Sequence, residues 1–169
     1  MTEKLVLSVL VENTSGVLQR VASLFSRRGY NINSLTVSAT EDPAFSRMTI
    51  STTAEPEMFR QIERQLLKLE IVKKVAALTE ENSVASEMLL VKVPAKGVDV
   101  KNAVLVFNMK YGARVLDVST ESMTLEFTGI SPLIDEFISQ IDRDYGIIEM
   151  ARTGLTALER GAESFSNDV

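Results

Sequence analysis

Two hydrophobic periods alternate along this chain in a fixed order, and the order runs through twice. Period two marks a half-buried strand and period 3.6 an amphipathic helix. Leu5–Val11 reads as a strand, followed by the polar loop Glu12-Asn13-Thr14-Ser15-Gly16. Val17, Leu18, Val21, Leu24 and Phe25 then share one side of a helix over Val17–Arg28, with Arg20, Arg27 and Arg28 elsewhere. Arg27 and Arg28 suit the negative end of the helix dipole, and Gly29 suits a left-handed stop. Ile32–Ala39 is the second strand, Glu41-Asp42-Pro43 is turn chemistry, and Phe45–Thr53 is the third strand with Met48 and Ile50 on one face. Pro56 opens a second helix carrying Phe59, Ile62, Leu66 and Leu69, and Val72–Leu78 closes the set.

After the polar stretch Thr79-Glu80-Glu81-Asn82-Ser83 the order repeats. Met88–Val93 is a strand, and Asp99–Tyr111 is a helix with Val100, Ala103, Val104, Phe107 and Tyr111 inward, stopped by Gly112. Ala113–Ser119 and Met123–Thr128 form a strand pair. Ser131 caps a helix with Pro132 at its first position and Ile134, Phe137, Ile138 and Ile141 inward; Ile147–Arg152 closes the set. The fold class is therefore α+β, two ferredoxin-like βαββαβ domains in tandem, over residues 4–79 and 84–158. The tail from Gly161 is small and polar and reads as loose. The methionines read as core filler, and Glu57, Arg60, Glu63, Arg64 and Lys68 as a solvated helix face.

Composition removes whole classes of chemistry. The 169 residues include no His, no Cys and no Trp, so thiolate or imidazole metal sites, cysteine nucleophiles and histidine bases are excluded. Eighteen basic against 23 acidic residues give a net charge of −5, the wrong sign for gripping nucleic acid. No apolar segment is long enough to span a membrane or act as a signal peptide. Absence of cysteine fits a reducing cytoplasm, the expected location.

The first strand-to-helix loop carries the chemistry. The first N–H groups of a helix lack internal partners and bear the positive end of its dipole. With Gly16 there, no side chain holds a small anion away from them. Asn13, Thr14 and Ser15 are also ordinary turn and cap residues, and Asn31 after Gly29 an ordinary turn residue, so chemistry alone leaves the structural role open.

The runs Val11-Glu12-Asn13-Thr14-Ser15-Gly16-Val17-Leu18 and Arg27-Arg28-Gly29-Tyr30-Asn31-Ile32-Asn33-Ser34-Leu35 resemble the amino-acid-binding ACT domain, and more narrowly the small regulatory subunits of acetolactate synthase. The resemblance continues through Phe45-Ser46-Arg47-Met48-Thr49, Leu89-Leu90-Val91-Lys92-Val93 and Glu149-Met150-Ala151-Arg152-Thr153-Gly154. It implies an ACT domain over 4–79 and a C-terminal small-subunit domain over 84–158 that helps the chain dimerise.

It implies also that two ACT domains pair and that a branched-chain amino acid, usually valine, sits where they meet. Asn13 would lie beside the ligand's charged groups. Gly16, Val17 and Leu18 would supply amides for its carboxylate, and Asn31 and Ile32 would come from across the pair. The expected partner is a large catalytic chain, activated by this one and made sensitive to the end product. That partner carries thiamine diphosphate, Mg and FAD, while this chain binds no cofactor of its own. Arg47 reads as exposed. Because one methylene is worth only about 1–3 kcal/mol in an apolar pocket, valine, isoleucine and leucine all stay open as effectors.

Two other readings share the fold. An acylphosphatase-like hydrolase needs an arginine in the phosphate-cradling loop, and residues 12–16 contain none. An RNA-binding module stacks bases on aromatics of its central strands, and here only Phe45 is available.

Overall fold

The computed structural model describes residues 3–162, 164 and 165. The chain divides into two units, one taking residues up to Ala85 together with the segment from Leu155 onward, the other Ser86–Gly154.

The first unit contains β1 (Glu3–Glu12), α1 (Val17–Arg27), β2 (Ile32–Ala39), β3 (Phe45–Ala54), α2 (Pro56–Leu66) and β4 (Val72–Leu78). Its antiparallel sheet has the order β2-β3-β1-β4, the ferredoxin-like arrangement expected from the sequence. Leu7, Val9 and Val11 on β1 and Met48 and Ile50 on β3 meet Val21, Leu24 and Phe25 of α1 and Ile62 and Leu66 of α2 in one buried cluster. One residue of the expected helix face departs from it. Leu18 is 47% exposed, because it sits in the first turn beyond the edge of the apolar stripe. Gly29 does end α1 in the left-handed region, at φ 71°.

The other face of this sheet, away from the helices, is covered as well. Ser8, Leu10, Thr49 and Ser51 are buried there. The segment from Leu155 lies on it: Thr36 Oγ1 donates to the Leu155 carbonyl at 2.7 Å, and Phe165 sits between the Arg47 guanidinium at 5.2 Å and the Lys74 ammonium at 4.9 Å. This segment includes β9 (Thr156–Glu159), which pairs with β5 (Ser83–Pro94), and Arg160 N–H donates to the Asn82 carbonyl at 2.8 Å.

Residues 155–158 pack with the first unit, because the chain turns at Gly154, φ 80°, and bonds to β2. Two expectations are corrected here. The tail is anchored through buried Phe165; its residues 163 and 166–169 lie outside the described part, as do Met1 and Thr2. Arg47 is half-buried beneath that ring rather than standing in solvent.

The second unit uses β5, α3 (Val98–Tyr111), β6 (Arg114–Val118), β7 (Ser122–Gly129), α4 (Ser131–Tyr145) and β8 (Glu149–Arg152), with sheet order β6-β7-β5-β8. Stacked Phe127 and Phe137, 4.6 Å apart, center a core that includes Val104, Phe107, Leu125, Ile134 and Ile141. The inward face of α3 is Val104, Phe107 and Asn108; Val100 and Ala103, expected inward, are exposed, and so are Val98, Val106 and Met109. Asn108 earns its place by donating from Nδ2 to the Ala113 carbonyl at 2.6 Å, which fixes the turn at Gly112. Of the methionines, Met48 and Met123 are core residues, whereas Met109 and Met150 are exposed.

Ser131 does not cap α4; it is the first helical residue, and its hydroxyl bonds to the buried carboxylate of Glu87. Arg152 bonds the same carboxylate through Nε and reaches Asp135 at 2.6 Å. The cluster ties β5, α4 and β8 together around a charge that would be costly to bury unpaired.

Candidate functional site

The loop between β1 and α1 is held from both sides by backbone. Glu12 N–H donates to the Ile71 carbonyl at 2.9 Å and Asn13 N–H to the Ala44 carbonyl at 2.8 Å. Asn13 Nδ2 donates to the Pro43 carbonyl at 2.9 Å, so this side chain braces the loop against the β2–β3 turn and turns its amide nitrogen away from the helix. That turn is itself set by Asp42, whose Oδ1 accepts the Ala44 N–H at 2.9 Å. Neither Thr14 nor Ser15 caps α1, which begins with no side-chain hydrogen bond at its N-terminus.

Gly16 supplies the N-cap at φ 83°, ψ −4°, a left-handed conformation that costs an L-residue about 1–2 kcal/mol. A Cβ built there meets nothing within 4 Å, so glycine is required by the backbone and the space in front of it is open. The first helical hydrogen bond runs from Arg20 N–H to the Gly16 carbonyl at 3.1 Å, which leaves the N–H groups of Val17, Leu18 and Gln19 without intrahelical partners. No acidic residue stands in the first turn. The nearest carboxylate in sequence, Glu12, is paired with Lys73 Nζ at 2.7 Å, which balances its charge. This arrangement suits a carboxylate.

Asn31 and Ile32 stand elsewhere. Ile32 lies opposite Thr52 on β3, whereas Glu12, where β1 leaves for the loop, lies opposite Phe45. Seven residues of β3 separate those levels, on the order of 23 Å at about 3.3 Å per residue. Asn31 Nδ2 donates to Asn33 Oδ1 at 2.9 Å, its carbonyl accepts from Thr52 Oγ1 at 2.6 Å, and Ile32 packs partly on the core. A single chain thus brings Asn13, Gly16, Val17 and Leu18 together and leaves Asn31 and Ile32 at the opposite end of the sheet.

Comparison with known proteins now discriminates among folds of this shape. Residues 7–74 match the family described as the AHAS small subunit-like ACT domain, and residues 86–161 match that described as the small subunit of acetolactate synthase. The acetolactate synthase isozyme 3 small subunit of Escherichia coli is 43% identical over 159 residues, covering 92% of this chain and 95% of that protein. The chain belongs to the acetolactate synthase small-subunit family. The small subunit of Mycolicibacterium smegmatis is 45% identical over 155 residues, with 92% of this chain and 90% of that one aligned. The crystal structure of the small subunit from Thermotoga maritima superposes with a TM-score of 0.86 at 35% identity, covering 95% of this chain and 99% of that one.

Membership of the family places the chain in branched-chain amino-acid biosynthesis, as the regulatory, non-catalytic companion of a larger catalytic subunit. Among the described residues no helix is long and apolar enough to cross a membrane, and no group of acidic side chains is assembled to hold a metal ion.

Sequence reasoning missed the segment from Leu155, the Glu87–Arg152 cluster and the Glu12–Lys73 pair. The four residues of β9 are too short to show a period, and the charged partners lie 65 and 61 positions apart in sequence, beyond any local pattern.

Proposed function

We propose that two copies of the first unit pair through their β2 edges and hold one branched-chain amino acid, valine in the first instance, at each end of the seam. The supporting observation is the separation of the two halves of the site. β2 is the outer strand of its sheet, and a two-fold antiparallel pairing of β2 with its copy reverses one strand against the other. That operation carries Asn31 and Ile32 of the copy toward the end at which Gly16 opens α1. In this reading Val17 and Leu18 N–H groups bind the ligand carboxylate, Asn13 Oδ1 and Asn31 meet its charged groups, and Leu18 and Ile32 cover its aliphatic side chain. The exposed apolar face of α3, with Val98, Val106 and Met109, supports a dimer contact made by the second unit.

The energetics are adequate. A carboxylate at a helix N-terminus gains about 0.3–1 kcal/mol exposed and about 2 when partly buried. Burial of the aliphatic side chain adds roughly 1.5–3, and hydrogen bonds to the charged groups roughly 1.5–3 each. After the entropy of association this supports micromolar to sub-millimolar binding.

The chain is a regulator working in the cytoplasm: it raises the activity of the catalytic subunit, which binds thiamine diphosphate, Mg and FAD, and makes it sensitive to valine. The ligand shifts activity by binding one arrangement of the pair better than another, a coupling of about 1–3 kcal/mol in typical cases. The experiment is reconstitution of the holoenzyme with Asn13→Ala. Activation is expected to survive while end-product inhibition weakens by tenfold or more; inhibition unchanged from the parent refutes the assignment of the site.

A further inference from the structure

The helix layer of the first unit has a charge opposite to that of the chain. Residues 17–28 and 56–68, which hold α1, α2 and the turns that end them, contain six basic and two acidic residues, in a protein of net charge −5. Arg60, Arg64 and Lys68 follow one another at steps of four and so lie in one column along α2 and its closing turn. All three are exposed. Among the described residues none forms an ion pair, although Glu57 and Glu63 share the helix. Like charges at this spacing destabilise a helix. The helix dipole favors the last turn for Arg64 and Lys68 but offers Arg60, in mid-helix, nothing. Leu67, 49% exposed, lies beside them, and a shallow groove lined by Arg60, Arg64, Leu67 and Lys68, with Gln61, Gln65 and a single acid, Glu57, follows the column.

This column ends beside the effector loop. Ile71, three residues past Lys68, receives the Glu12 N–H that begins the loop to Gly16. A half-exposed apolar residue beside a column of cations that enter no ion pair has the makeup of a protein interface, and such charge speeds encounter with a complementary surface.

We propose that the Arg60–Arg64–Lys68 column with Leu67 is the docking surface for a carboxylate-rich face of the catalytic subunit. The inference rests on the reading of this chain as a regulator bound to that subunit, and it puts the partner contact next to the effector loop, where a ligand at Gly16 can bias it. The test uses the full chain and its catalytic subunit, with association titrated at low and high salt. The triple variant Arg60→Glu, Arg64→Glu, Lys68→Glu is expected to bind at least tenfold more weakly at low salt, with a flatter salt dependence. A second variant, Arg60→Lys with Arg64→Lys, keeps the charge and is expected to bind as the parent does. Reversal of exposed cations in the second unit, Lys96→Glu with Arg143→Glu, is expected to leave association unchanged.

Association of the triple variant equal to the parent's at both salt concentrations overturns the proposal. A changed oligomeric state of the small chain alone, with catalytic-subunit binding intact, also overturns it and assigns the column to a second copy. Calorimetry of valine against the triple variant separates the two readings. Heat retained with docking lost supports the proposal, whereas no heat from the parent chain refutes the effector site and leaves the docking measurement to be judged on its own result.

Discussion

The two units share one topology and use it differently at the same place. In both, the strand that leads to the first helix is followed by a glycine with positive φ, Gly16 at 83° and Gly97 at 85°, and neither helix has a side-chain cap. The second unit places Asp99 in the first turn of α3, where a carboxylate already answers the dipole. The first unit leaves that turn without acid and pairs off Glu12 with Lys73. A shared fold thus supplies two helix starts led by glycine that differ in backbone and in charge: Gly16 is left-handed at ψ −4° whereas Gly97 stands at ψ 162°, and only α3 has an acid in its first turn. The units also differ in what completes them: the first by a later segment with Phe165 at its tip, the second by the Glu87–Arg152–Asp135 cluster of its own residues.

The largest effect expected from this contrast comes from Phe165→Ala. Removing a buried ring costs about 3–5 kcal/mol, and here it also uncovers Arg47 and Lys74. Amide exchange is expected to accelerate in β1–β4 and to stay slow in β6–β8; uniform loss of protection over both sheets breaks the distinction between the units.

A matched pair sharpens the comparison of the helix mouths. Gly16→Asp and Gly97→Asp each force an L-residue into positive φ, costing about 1–3 kcal/mol of stability by thermal unfolding. Only Gly16→Asp puts a carboxylate where the effector's would lie. Valine binding by calorimetry is expected to vanish in the first variant and to persist in the second; equal behavior of the two removes the asymmetry.

The smallest effect concerns the exposed Lys92–Glu149 pair of the second unit, at 2.9 Å. The hydrogen bond from Lys92, and then its charge, hold the Glu149 carboxyl below its ordinary 4.5. As pH falls the unfolded chain therefore takes up this proton first. The pair's contribution is whole above 4.5 and is lost as pH drops through the lowered folded value. Glu149→Gln is expected to lower stability slightly above pH 4.5 and to converge with the parent as pH drops below it, and high salt to erase the difference.

Legibility in the sequence followed distance along the chain. Every element from β1 to β8 was visible, because alternation on β3 and the spacing of Ile134, Phe137 and Ile141 on α4 are local signals. The glycine before α1 was legible for the same reason. Leu18 was misplaced because Val17, one residue earlier and about 100° round the helix, already fills the core position of the first turn, which leaves Leu18 beyond the edge of the stripe. The segment from Leu155 was illegible because its partners, Thr36, Arg47 and Lys74, lie more than 90 positions earlier. Asn13 and Asn31 were named together by family pattern alone, and the 23 Å scale between their levels on the sheet, from about 3.3 Å per residue, emerged only from the strand register.

The segment that covers the first sheet has a consequence for synthesis. A ribosome makes the N-terminal unit first, and domains generally fold as they emerge. Here the residues that close the earliest sheet are translated only after the whole of the second unit. The nascent protein therefore lacks, throughout elongation, the segment that covers this face, where Leu10 lies among the hydroxyls of Ser8, Thr49 and Ser51. The part begun first is finished last, and a chain stalled short of Phe165 presents chaperones with a half-clad sheet.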